Sequence, residues 1–175
     1  MDIQRERIAV YPGTFDPLTN GHISLVLRAS KIFETVILGI AEETAKKTLF
    51  SIEERVAMAK EVFADNRGVK VAPFSGLTVD FAQACGATVL VRGMRAVSDF
   101  DYELQIALIN TKMRPDVQSI FLMTDYRWLF ISSTSIKTAA RLGGNIHGLV
   151  PECVRRCLLE KFGLNYEPKD EIAVY

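Results

Sequence analysis

Short apolar runs alternate with amphipathic segments along almost the whole chain. Ile8–Tyr11, Thr35–Ala41, Val69–Pro73, Thr88–Arg92 and Ser119–Met123 are brief and mostly apolar, the pattern of strands covered on both faces. Between them the spacing predicts helices. His22–Phe33 sets Ile23, Val26, Leu27, Ala29 and Phe33 toward a core, and Ser51-Ile-Glu-Glu54 is a capping-box pattern opening a helix to about Phe63. Thr78–Cys85 closes at Gly86, Phe100–Met113 stops near Pro115, and Ser133–Leu142 ends at Gly143-Gly144. Pro151, suited to a first helical position, opens a last helix to Phe162. Five strands separated by helices predict an α/β fold, a doubly wound five-stranded parallel sheet with right-handed crossovers. The expected domain is single, 1–175, with a core over about 7–162 and a polar, mobile tail over 163–175.

Composition narrows the class. At 175 residues, 49% apolar and 24% charged, the chain is long enough for a real core and has the mixture of an ordinary globular protein. Lys plus Arg equals Asp plus Glu, 21 each, so no bulk field draws nucleic acid or an anionic membrane, although a local anion site needs only a few clustered cations. The first residues lack a signal-peptide core, and no run reaches the length of a membrane span. Cys85, Cys153 and Cys157 form no disulfide framework, so a cytoplasmic location is expected. Cys153 and Cys157 are four apart on a predicted helix, a spacing read as packing rather than half a metal site.

In a parallel sheet the ligand sits beyond the carboxyl ends of the strands, and the loops there carry the chemistry. The first reads Tyr11-Pro-Gly-Thr-Phe-Asp-Pro-Leu-Thr-Asn-Gly-His22, longer than the about 2–6 residues a plain connection takes. It offers the Thr14 hydroxyl, the His22 imidazole and a helix N-terminus suited to phosphate. Lys46 and Lys47 follow the second strand, and Ser75 and Thr78 the third. Arg92, Gly93 and Arg95 follow the fourth, and the fifth loop runs from Thr124 through Trp128 to Ser132, Ser133 and Ser135. Opposite loops such as Asp65-Asn66-Arg67-Gly68 read as plain turns. Cations, hydroxyls and one histidine thus converge on one rim, which suits a ligand with several phosphates.

Each motif also has an ordinary reading. Two arginines flanking a glycine at the end of an apolar strand favour a grip on phosphate or carboxylate over a solvated edge. Glu103 either complements a helix dipole, accepts from a sugar hydroxyl, or holds Arg95. Lys46 and Lys47 taken alone are a solvated turn. Ser132 caps a helix, and the hydroxyls at 133, 134 and 135 exceed what a cap requires. Trp128 packs either under its loop or against a base.

Thr19-Asn-Gly-His22 after a first strand, paired with Ile131-Ser-Ser-Thr134 before a late helix, resembles the nucleotidylyltransferase superfamily. The first-loop string, together with Val91-Arg-Gly-Met-Arg-Ala-Val-Ser-Asp-Phe-Asp-Tyr-Glu103, is similar to the bacterial phosphopantetheine adenylyltransferases. The resemblance covers most of residues 7 to 162. It implies a Rossmann-like nucleotidyltransferase fold, and transfer of an adenylyl group from ATP to 4′-phosphopantetheine with Mg²⁺. It also implies a cytoplasmic homohexamer, with coenzyme A a candidate feedback ligand. Carried over, His22 stabilises the transition state, and Thr14, Lys46, Thr78 and Arg92 hold phosphopantetheine. Thr14, Phe15, His22, Gly93, Met94, Arg95, Glu103, Trp128, Leu129, Phe130, Ile131, Ser132, Ser133 and Thr134 line the ATP site. Thr78 stands where the family often has an apolar residue. The run Ser-Ser-Thr-Ser-Ile-Lys leans toward the mononucleotide adenylyltransferases, where a similar run ends in arginine. Val71, Phe74, Leu77 and Phe81 read as exposed apolar residues that an oligomer would cover.

Overall fold

A computed structural model describes residues 7–43, 47–95, 97–167 and 174, and the side chains of all of these except 97 and 98. Five strands, β1 (Ile8–Gly13), β2 (Thr35–Ala41), β3 (Val69–Phe74), β4 (Val89–Met94) and β5 (Gln118–Met123), form one sheet in the order β3-β2-β1-β4-β5. Every pairing is parallel. The helices between and after them are α1 (Asn20–Ala29), α2 (Ile52–Val62), α3 (Thr78–Ala84), α4 (Val97–Met113), α5 (Ser133–Arg141) and α6 (Glu152–Lys161), with a 3₁₀ turn at Tyr126–Trp128. Two apolar cores result. The larger holds Val36, Leu38 and Ile40 with α1, α2, α5 and α6, and the smaller packs Val10, Ile37 and Leu90 against α3.

Strand order reverses between β1 and β4, the switch point where ligands of such sheets bind. The ladder is thin there. β1 and β2 are in register over all six residues from Ile8 to Gly13, whereas β1 meets β4 only at Ala9↔Val89 and Val10↔Leu90. The two strands then part, and a cavity of about 790 Å³ opens beyond the fork.

Several boundaries differ from the sequence reading for identifiable reasons. α1 begins at Asn20 rather than His22 because Thr19, extended at φ −124°, is its N-cap. It ends at Ala29, and Phe33 reaches the core from a turn. Pro151 is an N-cap, one position earlier than expected. α4 begins at Val97, three residues before the predicted Phe100. The tail is only partly described, and its Val174 packs against the larger core.

The expected apolar patch lies elsewhere. Phe74 is buried and stacks on Phe81 with ring centroids 4.6 Å apart, and of the four named residues only Leu77 is strongly exposed. The stack lies over Gly39 of β2, where a Cβ would meet Phe81 Cε1 at 2.7 Å. A glycine there lets α3 press close to the sheet. Exposed large apolar side chains instead gather on α4, with Tyr102, Leu108 and Ile109 each more than half exposed.

Candidate active site

The first-loop sequence builds one wall of the cavity. Thr19 and His22 form a reciprocal capping box: the His22 N–H donates to Thr19 Oγ1 at 3.4 Å, and the Thr19 N–H donates to His22 Nδ1 at 3.1 Å. A histidine thus takes the place usually held by glutamate or glutamine in this motif. Because Nδ1 accepts a backbone proton, the neutral ring carries its own proton on Nε2. Burial, followed by the charge of Arg95, pushes the His22 pKa down to about 4. The ring is therefore a neutral Nε2–H donor at neutral pH. Phe15 packs edge-on against it at 5.1 Å and is folded under the loop at φ +48°, an uncommon backbone for a phenylalanine.

On the opposite side of the fork, Arg92 at the end of β4 is fixed before any ligand arrives. Its Nε and Nη2 donate to the two oxygens of Glu103 at 2.7 and 2.8 Å, and Nη1 donates to the Pro12 carbonyl at 3.2 Å across the gap between β1 and β4. Burial opposes the guanidinium charge, but the paired Glu103 carboxylate outweighs it and raises the Arg92 pKa. Glu103 therefore holds Arg92 and not Arg95. Arg95 pairs with Asp99 at 3.4 Å and reaches the Ile131 carbonyl at 3.4 Å, leaving it more exposed than Arg92. Tyr11 lies beside both arginines, its hydroxyl pushed up to about 12 chiefly by burial.

The serine run forms the third wall. Ser132 and Ser135 make the capping box of α5, and the Ser133 hydroxyl donates to the Pro17 carbonyl at 2.8 Å, docking the helix N-terminus on the first loop. Trp128 is buried, with its Cβ close against Gly21. The wall below it comes from Phe74 and Thr78, the latter the first residue of α3.

Of the residues singled out in the sequence, Thr14, Phe15, His22, Thr78, Arg92, Gly93, Arg95, Glu103, Trp128, Ile131, Ser132, Ser133 and Thr134 all line the cavity. Met94, Leu129 and Phe130 do not, and Phe130 is largely exposed. Lys46 lies outside the described residues, while its neighbour Lys47 lines the cavity. The structure adds Asp16 and Lys137, which form an ion pair across the floor, and Tyr11 and Thr124. Among the described residues of the lining, four cations, Lys47, Arg92, Arg95 and Lys137, face two carboxylates, Asp16 and Glu103. Asp16 and Glu103 are engaged by Lys137 and Arg92, and Arg95 is paired with Asp99 outside the lining, so the described lining itself carries an excess of positive charge and suits an anion.

Fold and lining together define an enzyme of the nucleotide-transferring kind. Residues 10–139 match the cytidylyltransferase-like family. A phosphopantetheine adenylyltransferase of Nitratidesulfovibrio vulgaris is 60% identical over 95% of this chain and 89% of its own length. One from Oleidesulfovibrio alaskensis is 57% identical over 91% and 94%, and one from Moorella thermoacetica 53% over 90% and 98%. The chain belongs to the phosphopantetheine adenylyltransferases and is a nucleotidyltransferase.

Proposed function

We propose that this enzyme transfers the adenylyl group of ATP to 4′-phosphopantetheine, giving dephospho-coenzyme A and pyrophosphate, a step of coenzyme A biosynthesis. The observation that carries this reading is one cavity holding a neutral imidazole donor, two separately anchored arginines and two helix N-termini. That set suits a reaction between two anions. The attacking phosphate is already ionised near neutral pH, so no side chain has to activate it. Its oxygen forms a bond to the α-phosphorus in line with the bridging oxygen, that bridge breaks, and pyrophosphate leaves with the electron pair, with no covalent enzyme intermediate. What remains for the protein is positioning and charge stabilisation.

Within this reading Thr14, Lys46, Thr78 and Arg92 hold phosphopantetheine, Lys46 and Arg92 offsetting the charge of its phosphate. His22 Nε2–H, Thr14 and the N-terminus of α1 donate to the α-phosphate as charge develops, and Arg95 and the α5 N-terminus meet the outer phosphates. Mg²⁺ fits as an ion carried by the phosphates and water, since both carboxylates of the lining are committed to Arg92 and Lys137. When bound it neutralises charge on the departing pyrophosphate.

The proposed setting is the cytoplasm; among the described residues no helix is long and apolar enough to cross a membrane. A homohexamer would cover the exposed apolar face of α4, and coenzyme A, sharing the phosphopantetheine moiety, is a candidate feedback ligand. A pyrophosphate-release assay with ATP and either 4′-phosphopantetheine or nicotinate mononucleotide tests the reading. Release with the first alone is expected; release with the second alone would move the enzyme to the mononucleotide adenylyltransferases.

A further inference from the structure

Two buried side chains grip backbone across the junction of the first and second loops, one in each direction. Asp16, 5% exposed, accepts the N–H of Leu49 at 3.0 and 3.1 Å and that of Phe50 at 2.9 Å. Arg55, on α2 and 2% exposed, donates back through Nη1 to the carbonyls of Thr14 and Ala41, both at 2.8 Å, and through Nε to Ser51 at 3.3 Å. Lys137 of α5 closes on Asp16 from the third side. Burial opposes the Asp16 charge, and the bonds from Lys137, Leu49 and Phe50 together prevail, so its pKa is lowered.

The targets of these bonds are specific. The ladder between β1 and β2 ends at Gly13↔Ile40. Thr14 and Ala41 are the next residues on each strand, and Arg55 joins their carbonyls through a single nitrogen. Leu49 and Phe50 directly precede Ser51, the cap of α2. Arg55 therefore holds the end of β2 at Ala41, and Asp16 holds Leu49 and Phe50, directly after Lys47 and Thr48. Between these points the chain carries Lys46 and Lys47, and Lys47 and Thr48 line the cavity. Packing alone does not ask for an arginine at position 55, since an apolar side chain of similar volume would fill the space without burying a charge.

We propose that Asp16 and Arg55 are positioning residues for the acceptor phosphate. They fix Lys47 and Thr48, which line the cavity, to the first loop and so set the distance between the lysine side of the cavity and the donors of Thr14 and His22. Neither has to touch substrate. The inference rests on the assignment of the lysine side of the cavity to phosphopantetheine.

Steady-state kinetics of Asp16→Asn and Arg55→Met with both substrates, beside amide hydrogen exchange, provide the test. The expected result is a phosphopantetheine KM raised about tenfold, an ATP KM changed less than about twofold, and a lowered kcat. Arg55→Lys, which keeps the charge but not the fork, should fall between wild type and Arg55→Met. In Asp16→Asn the Leu49 and Phe50 amides should exchange faster while amides inside β2 and α2 keep their protection. Unchanged KM values with a kcat that merely follows a lower melting temperature would overturn the proposal, as would equal rises in both KM values. Should Arg55→Met fail to fold, Asp16→Asn and the exchange measurement still decide. A wild-type enzyme that releases no pyrophosphate with phosphopantetheine would instead strike the substrate assignment, and exchange at Leu49 and Phe50 would still judge the grip of Asp16.

Discussion

His22 receives the backbone N–H of Thr19 on Nδ1 at 3.1 Å, so capping α1 and placing the ring proton on Nε2 are one interaction. The ring is locked as the Nε2–H tautomer by the same bond that starts the helix.

His22→Ala should therefore lower kcat by about 10²–10³-fold, the usual loss for one preorganised donor, with a much smaller change in ATP affinity. Single-turnover rates and equilibrium ATP binding separate the two. Weakened ATP binding with turnover intact would mean that His22 grips the ground state instead.

Acid sensitivity follows from the depressed His22 pKa of about 4. Above the ordinary histidine range both folded and unfolded rings are neutral, and stability is indifferent to this group. Between about 6.5 and 4 only the unfolded ring takes a proton, so the stability it contributes falls as pH falls through that window. In kcat/KM, which reports the free enzyme, His22 should leave pH 6 to 8 flat. A nitrogen NMR titration placing the His22 midpoint near 6.5 would refute the buried neutral donor.

The two arginines should divide the substrates. Arg92→Ala and Lys46→Ala are expected to raise the phosphopantetheine KM more than the ATP KM, and Arg95→Ala the reverse. Glu103→Gln, which removes the anchoring charge from Arg92 while leaving the guanidinium present, should reproduce the Arg92 pattern in weaker form. Equal effects on both substrates throughout would show one undivided basic surface.

Gly39→Ala places a methyl 2.7 Å from the Phe81 ring. It should destabilise the fold by about 1–3 kcal/mol through overpacking, read from chemical denaturation. Phe81 stacks on Phe74, and Phe74 and Thr78 line the cavity, so the same variant should also raise the phosphopantetheine KM. An unchanged denaturation midpoint would mean that α3 yields freely.

Assembly should depend on α4. Leu108→Glu, at a site 62% exposed in the single chain, is expected to yield smaller species than wild type in sedimentation at micromolar concentration. A wild-type protein that sediments as one chain would remove the oligomer altogether.

Much of this fold was readable because burial on both faces leaves unbroken apolar strands. Val36, Leu38 and Ile40 are buried in the larger core and Ile37 between them in the smaller one, and the sequence shows all four in one β-branched and aliphatic run. The start of α1 was misplaced because the signal resides in a side chain acting on backbone: Thr19 and His22 look like loop and helix until their reciprocal bonds are seen. Of the three readings open for Glu103, the one that tied it to an arginine chose Arg95, whereas the structure pairs it with Arg92. Arg92 lies within β4 and Arg95 just beyond it, and both pair with acids of α4, Arg92 with Glu103 and Arg95 with Asp99, a division that spacing along the chain does not reveal. Arg55 did leave a trace, as a charge sharing the buried face of α2 with Met58 and Ala59. Nothing local distinguishes such a residue from a solvated one, because its partners, Thr14 and Ala41, come from other parts of the chain.

The parting of β1 and β4 after two residue pairs has a consequence for how this protein can change. The hollow exists because pairing stops, before any side chain is chosen to furnish it. Replacing the groups at its edge alters what is held without removing the place for holding it, and the sheet beneath need not be redrawn. A scaffold of this kind separates the heritable shape of a vacancy from the chemistry of its occupant, which is how one architecture can be turned to several acceptors.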